Sequence, residues 1–219
     1  MSGTVSARVA PNGALREGIA LEIASLVWMV IEGGVAIGAG VAARSVLLTG
    51  FGFDSVIELL SAGILLWRLT AAGRNEDLER VARIEQRATW LAALLLLLLA
   101  LYLVVSSLVG LAIRFEPASA WPGLLVAALA VAVMPALGWR KRVVAGNLNS
   151  AALRADAIES MACGYLALAT LLGVGASVLL GWWWAEYVAA LVLAVLVLRE
   201  AREAFTEARE AGRSDESDE

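Results

Sequence analysis

Two acidic residues, Asp54 and Glu58, lie one helical turn apart inside an apolar stretch of the chain. Residues at positions i and i+4 stack on the same face of a helix, so the two carboxylates face in one direction. A second apolar stretch repeats the spacing with Glu159 and Cys163, and Asp156 lies three residues before Glu159. An ionisable side chain at the centre of a bilayer costs at least ~2.5–3.5 kcal/mol, so each of these residues needs a compensating partner. Carboxylates and a thiol in two such pairs suggest the binding of a cation.

The composition is that of a membrane protein. Hydrophobic residues make up 60% of the 219 residues and the mean hydropathy is +0.78, which is more apolar than a soluble domain of this length. The chain has no histidine, which excludes histidine metal sites and histidine proton relays. Its single cysteine, Cys163, excludes an intramolecular disulfide. No basic face indicates a nucleic-acid partner, and without a serine elbow or metal-hydrolase motif we expect neither an enzyme nor an organic cofactor.

Apolar runs of about 20 residues, the length that crosses a bilayer, predict an all-α bundle of six transmembrane helices. The first run is long and lacks a small-residue cleavage pattern, so we interpret it as a membrane helix and not a signal peptide. We expect residues 1–16 to be disordered and residues 203–219 to form a short acidic cytoplasmic tail. The predicted spans are 17–42, 45–69, 88–113, 119–139, 148–173 and 184–202.

The basic residues predict the orientation of these spans. With six spans, both termini lie on the same side as the loops after spans two and four. All of the 17 lysines and arginines except Arg44, Arg114 and Arg154 fall on that side or at its edge. The positive-inside rule then places both termini in the cytoplasm. Abundant alanine, leucine and arginine with a single lysine are typical of a GC-rich bacterial genome, which indicates the bacterial cytoplasmic membrane.

The two polar pairs are predicted to meet near the bilayer centre. Span two runs inward and span five outward, and at ~1.5 Å per residue both pairs lie roughly 9 to 15 residues into their spans. Two pairs at one level can supply four ligands to a single ion, which is what a tetrahedral divalent cation requires. Asp156 and Glu32 are accessory candidates, since Asp156 shares the face of Glu159 and Glu32 lies deep in span one.

Structural roles for the same residues stay open. Asp54 and Glu58 could be protonated and hydrogen-bonded to a neighbouring helix, and Cys163 could be a small buried hydrophobe. Glu22 lies close enough to the cytoplasmic interface that we expect it to be solvated. Glu32 either faces the same cavity or fills a helix contact.

Small residues in span one are predicted to allow close contact between helices. They are Gly33, Gly34, Gly38 and Gly40. Ser150, at the start of span five, either caps that helix or lines a cytoplasmic opening.

The pattern resembles the cation diffusion facilitator family, six-span exporters of Zn²⁺ and related divalent cations. In that family span two carries two acids separated by three residues, as in DSVIE at 54–58. Span five typically reads Ala-Asp-Ala-x-His-x-x-x-Asp, and residues 155–163 read ADAIESMAC. The family's histidine position is therefore Glu159 here, and its second aspartate position is Cys163. The start of span six, GWWWAE at 181–186, is also similar.

The resemblance implies a divalent cation transporter that acts as a homodimer, with span three, around 94–99, as the candidate dimer surface. It also implies a short form, because the family's usual C-terminal cytoplasmic domain has no counterpart after span six. The metal ligands implied are Asp54, Glu58, Glu159 and Cys163.

Three carboxylates and a thiolate carry more negative charge than a divalent ion neutralises, so metal binding should release protons and proton binding should release metal. Oxygen and sulfur donors suit Zn²⁺, with Co²⁺, Cd²⁺ or Fe²⁺ as alternatives, whereas Mg²⁺ and Ca²⁺ prefer oxygen alone. No nucleotide-binding loop is present, so we expect a Zn²⁺/H⁺ antiporter driven by the proton gradient. The alternatives are a proton-coupled organic-cation carrier and a non-transporting structural or regulatory membrane subunit.

Overall fold

The computed structural model describes residues 12–71, 78–148 and 150–216, and within them the chain is helical with no strand. This confirms the predicted all-α fold with six helices. Residues 1–11 and 217–219, in the predicted disordered segment and acidic tail, lie outside the described residues. The helices are α1 (Asn12–Ala43), α2 (Val46–Ala71), α3 (Leu78–Ile113), α4 (Trp121–Leu148), α5 (Ala151–Leu180) and α6 (Trp183–Glu216).

Five described segments are long and apolar enough to cross a membrane. The sixth helix, α6, is not among them, because its apolar stretch is flanked by Glu186 on one side and by Arg199 and Glu200 on the other. The predicted sixth span, 184–202, is nevertheless helical throughout and packs along α3. The five segments are Gly13–Ala43, Val46–Ile64, Thr89–Ile113, Trp121–Leu148 and Leu153–Leu180.

Short turns with specific backbone chemistry separate the helices. Arg44 takes the left-handed conformation at φ 55°, and the Ser45 hydroxyl then accepts the Leu48 N–H at 3.1 Å, which caps the start of α2. Ser150 caps α5 in the same way, so its predicted capping role is confirmed. Gly181 ends α5 at φ 70°, a conformation that glycine adopts without a steric penalty.

The six helices pack as a group of four and a pair. In the group of four, α1 packs against α2 and α4, and α4 packs against α5. The pair is α3 and α6, which contact each other extensively. The helices with the paired polar residues, α2 and α5, contact each other, and both also contact α6. The fold therefore brings the two polar pairs towards a common interior.

Two of the four α1 glycines predicted to mediate helix contact allow the close approach of α2. A Cβ on Gly40 would lie 2.6 Å from the Thr49 backbone nitrogen, and a Cβ on Gly33 would lie 3.3 Å from the Gly52 carbonyl oxygen. Gly34 and Gly38 face away, and such a Cβ would meet no other helix within 4 Å in the described part of the chain. The predicted role in helix contact is therefore confirmed for Gly33 and Gly40 and wrong for the other two.

This difference predicts opposite effects of two alanine substitutions in one helix. Gly40→Ala should lower the free energy of unfolding by about 1–3 kcal/mol, because the new methyl group meets α2 backbone that has no room to move. Gly38→Ala, the matched control, should leave it unchanged or raise it by about 0.5–1 kcal/mol, since alanine favours the helix. Thermal unfolding in detergent measures both. Equal midpoints for the two variants would contradict the packing described here.

Candidate metal centre

The two acids of α2 are buried and have no hydrogen-bond partner. Asp54 is 1% exposed and Glu58 is 2% exposed. None of their four carboxylate oxygens has a hydrogen-bond partner in the part of the chain that the structure describes. A buried carboxylate without a partner is costly, so natural structures seldom retain one without a function. This pair is therefore the feature of the fold that most strongly indicates a ligand.

Cys163 of α5 lies in an interior lined by sulfur atoms. It is 1% exposed and packs in a cluster with Met29 of α1 and Met134 of α4. Its Sγ atom lies 3.9 Å from Oε1 of Glu32. The thiol therefore faces the other helices of the group of four, while Glu159, one turn earlier on α5, is only half-buried.

Glu32, whose role the sequence left open, joins three helices. It is fully buried in α1, and its Oε1 atom accepts the Ser55 hydroxyl of α2 at 2.9 Å. The Trp28 indole N–H donates to its other oxygen, and Cys163 of α5 approaches Oε1. Glu32 thus contacts both Ser55, the residue next to Asp54, and Cys163, one of the predicted ligands.

The four predicted ligands share one region of the molecule. Glu159 of α5 and Glu200 of α6 both lie within electrostatic range of Asp54. The same two acids act on Glu58, and Cys163 is within reach of both acids of α2. Among the described residues, no three cysteine, aspartate or glutamate side chains converge closely enough to hold a metal ion. The four-ligand site therefore stays a prediction.

Glu200 is a fifth acid near this region that the sequence did not reveal. It is half-buried in α6 and faces the acids of α2 and α5. Glu200 lies between Arg199 and Arg202 at the end of the predicted span 184–202, where charged residues are expected to be solvated. The missing signal was the orientation of α6, which follows only from its packing.

A buried lysine holds a second group of acids together. Lys141 of α4 is fully buried, with its Nζ atom 2.6 Å from Oδ2 of Asp156 and 3.3 Å from Oε2 of Glu22. The Ser160 hydroxyl also lies 3.3 Å from this nitrogen. Buried lysine is rare unless it is paired, and here one ammonium serves two carboxylates.

These contacts correct two expectations. Glu22 was expected to be solvated, and it is fully buried because α1 packs against α4 at this level. Lys141 was placed beyond a span ending at 139, but α4 continues to Leu148 and keeps Lys141 inside. Asp156, an accessory candidate for the metal site, is engaged by this ammonium.

The comparison with known families agrees with the fold. The family model described as the cation efflux transmembrane domain matches residues 23–211, which include most of α1 and nearly all of α6. The chain belongs to the cation efflux family. It is accordingly a multi-pass membrane protein of a family that transports divalent cations. No curated protein gives a significant match to the chain.

The contacts of Glu32 predict a large effect of removing its carboxylate. Glu32→Ala leaves the buried Trp28 N–H without its acceptor and should lower the free energy of unfolding by about 1–3 kcal/mol. Glu32→Gln keeps an oxygen that can accept from Trp28, and its amide NH2 can donate to the Ser55 hydroxyl, so this variant should lose clearly less. Thermal unfolding in detergent compares the two, and an alanine variant as stable as the wild type would show that these hydrogen bonds contribute nothing.

Proposed function

We propose that this protein exchanges a divalent metal cation, Zn²⁺ in the first place, for protons and so exports the metal from the cytoplasm. The observation that carries the proposal is the pair Asp54 and Glu58, buried on one helix face with none of their four oxygens hydrogen-bonded to a described residue. A divalent cation supplies the compensation that the surrounding protein does not.

The proposed ligands are Asp54 and Glu58 of α2 with Glu159 and Cys163 of α5. Their full negative charge exceeds that of the cation, so some of these groups bind protons when the metal leaves. Metal and protons then compete for the same atoms, which couples their movement in opposite directions. Carboxyl and thiol groups are sufficient for this exchange, and no histidine is required.

The surroundings of the proposed ligands give no support to an organic-cation carrier. Such a carrier would need aromatic rings around the acids, because a bound ammonium group is recognised by ring faces. Phe51 is instead fully buried in the hydrophobic core, and Phe53 points outward with 46% of its surface exposed. The buried acids thus favour a bare cation.

Orientation and assembly complete the proposal. Both termini are proposed to be cytoplasmic, in the cytoplasmic membrane of a bacterium, because the basic residues concentrate on their side.

A homodimer is proposed to form through α3, whose outer face exposes apolar side chains over more than three turns. They include Leu91, Leu94, Leu98, Leu101, Val105 and Leu108.

The first prediction of this proposal concerns the acids of α2. Asp54→Asn and Glu58→Gln should each reduce Zn²⁺ affinity at least about tenfold, because losing a group that only supports a ligand already costs about 10- to 100-fold. Isothermal titration of the purified protein measures binding, and a pH-sensitive dye measures the protons released.

The matched control is Glu186→Gln, which neutralises another buried acid near the start of α6. It should bind Zn²⁺ as the wild type does and release as many protons. Wild-type affinity and proton release in both α2 variants would eliminate the proposed site.

The second prediction concerns metal choice. Cys163→Asp replaces a soft sulfur donor with a hard oxygen donor, so it should lower the ratio of Cd²⁺ to Zn²⁺ affinity. Competition binding with the two ions in the same preparation measures this ratio. If the ratio does not move, Cys163 lies beside the metal and does not bind it.

A further inference from the structure

Buried polar side chains form a continuous line on one face of α1. Glu22, Ser25 and Glu32 are each fully buried, and their spacing of three and seven residues places them on a single helix face. At ~1.5 Å per residue they span about 15 Å along the helix. A fully buried polar line of this kind is unusual in a membrane helix unless it serves a path or a contact.

A second line runs along α5. Asp156, Ser160 and Cys163 are buried at spacings of four and three residues, so they too share one face. The two lines are connected at both ends. Lys141 joins Glu22 to Asp156 at one end, and Glu32 approaches Cys163 at the other. We call these six residues of α1 and α5 the polar seam.

The polar seam leads from the helix ends on the side of the termini to the candidate metal centre. Glu22 and Asp156 lie in the halves of α1 and α5 that begin on that side. Within the described residues, Ser25 Oγ and Glu22 Oε1 are buried along the seam without a hydrogen-bond partner. Unpartnered oxygens inside an apolar bundle are available to a passing cation or to water.

We propose that the polar seam is the route by which the cation reaches the candidate centre from the side of the termini, and that the ion pairs of Lys141 close it. The inference rests on the proposed transport function and names the residues through which one side gains access. Lys141 is a positioning residue in this scheme, since it acts through Glu22 and Asp156 and does not bind the transported ion.

The ion pairs of Lys141 with Glu22 and Asp156 at the outer end of the polar seam indicate how this end opens. One ammonium faces two carboxyl groups, and Oε1 of Glu22 has no hydrogen-bond partner among the described residues, so this oxygen is available to an arriving cation. An apolar cluster of Val144, Ala145 and Leu153 lies one turn further out and excludes water while the helices are together. Parting α1 from α4 separates Glu22 from the ammonium, which stays with Asp156 because α4 and α5 pack closely together.

The chain's single cysteine reports on this opening. Cys163 is 1% exposed at the inner end of the seam, so its modification measures access to the seam. The full-length protein in sealed vesicles is treated from the side of the termini with a membrane-impermeant methanethiosulfonate, and the modified fraction is followed by mass spectrometry. Lys141→Met keeps the side-chain volume and should raise the modification rate of Cys163 at least about tenfold. A tenfold change corresponds to a shift of about 1.4 kcal/mol in the free energy of opening.

The matched control is Arg140→Ala, which removes the exposed ion pair between Arg140 and Glu17 that joins the same two helices. This variant should be modified at the wild-type rate. Glu22→Gln keeps the pair between Lys141 and Asp156, so it should give a smaller increase and serves as the test if Lys141→Met does not fold.

Three outcomes would overturn the proposal. The first is a wild-type modification rate of Cys163 in both Lys141→Met and Glu22→Gln. The second is an equal rise in this rate from the two sides of the membrane, and the third is an equal rise in Arg140→Ala. The measurement uses no metal, so its failure is distinct from a failure of the proposed function, which the binding of Zn²⁺ to the Asp54 variant tests.

Discussion

Burial of carboxylates in an apolar interior is the constraint on which the rest of this structure depends. Five acids are buried on the inward faces of α1, α2 and α5. Each must be paired with a cation, hydrogen-bonded or protonated, because an isolated buried charge is not tolerated. The helix arrangement meets this requirement in three different ways, and the differences separate the roles of the acids.

Glu22 and Asp156 are paired with the ammonium of Lys141, and Glu32 is satisfied by donors from Trp28 and Ser55. These three acids hold α1 against α2, α4 and α5 and have partners from the chain itself. Asp54 and Glu58 are the exception, since their oxygens have no hydrogen-bond partner among the described residues. Each of the three structural acids therefore has at least one partner within the chain, whereas the two acids proposed to bind the transported cation have none among the described residues.

The sequence predicted the features that local patterns determine. Apolar run length predicted the six helices, and the gap between the first two predicted spans coincides with the turn at Arg44. The i, i+4 spacing correctly placed Asp54 and Glu58 on one buried face. The helix limits were less accurate, because α4 continues past its apolar run, where the pairing of Lys141 compensates for a charge that hydropathy counts as an end.

What the sequence did not reveal depends on partners that are distant along the chain. Lys141 and Glu22 are 119 residues apart, and no local pattern connects them. The same reason explains Gly38 and Gly40, two residues apart in α1, of which only one meets α2. Glu200 escaped notice because the face of α6 that meets α2 and α5 follows from packing alone.

The two α5 positions at which this chain differs from the common family pattern lie in different surroundings. Cys163 is enclosed by Met29, Met134 and Glu32, whereas Glu159 is half-buried and closer to the side of the termini. Under the proposed exchange, a hard oxygen donor therefore stands at the wetter end of α5 and a soft sulfur donor at the drier end. A cation arriving from the side of the termini would reach the level of Glu159 one helical turn before that of Cys163. Discrimination between metals would then occur at the last ligand, in the part of the bundle where water competes least.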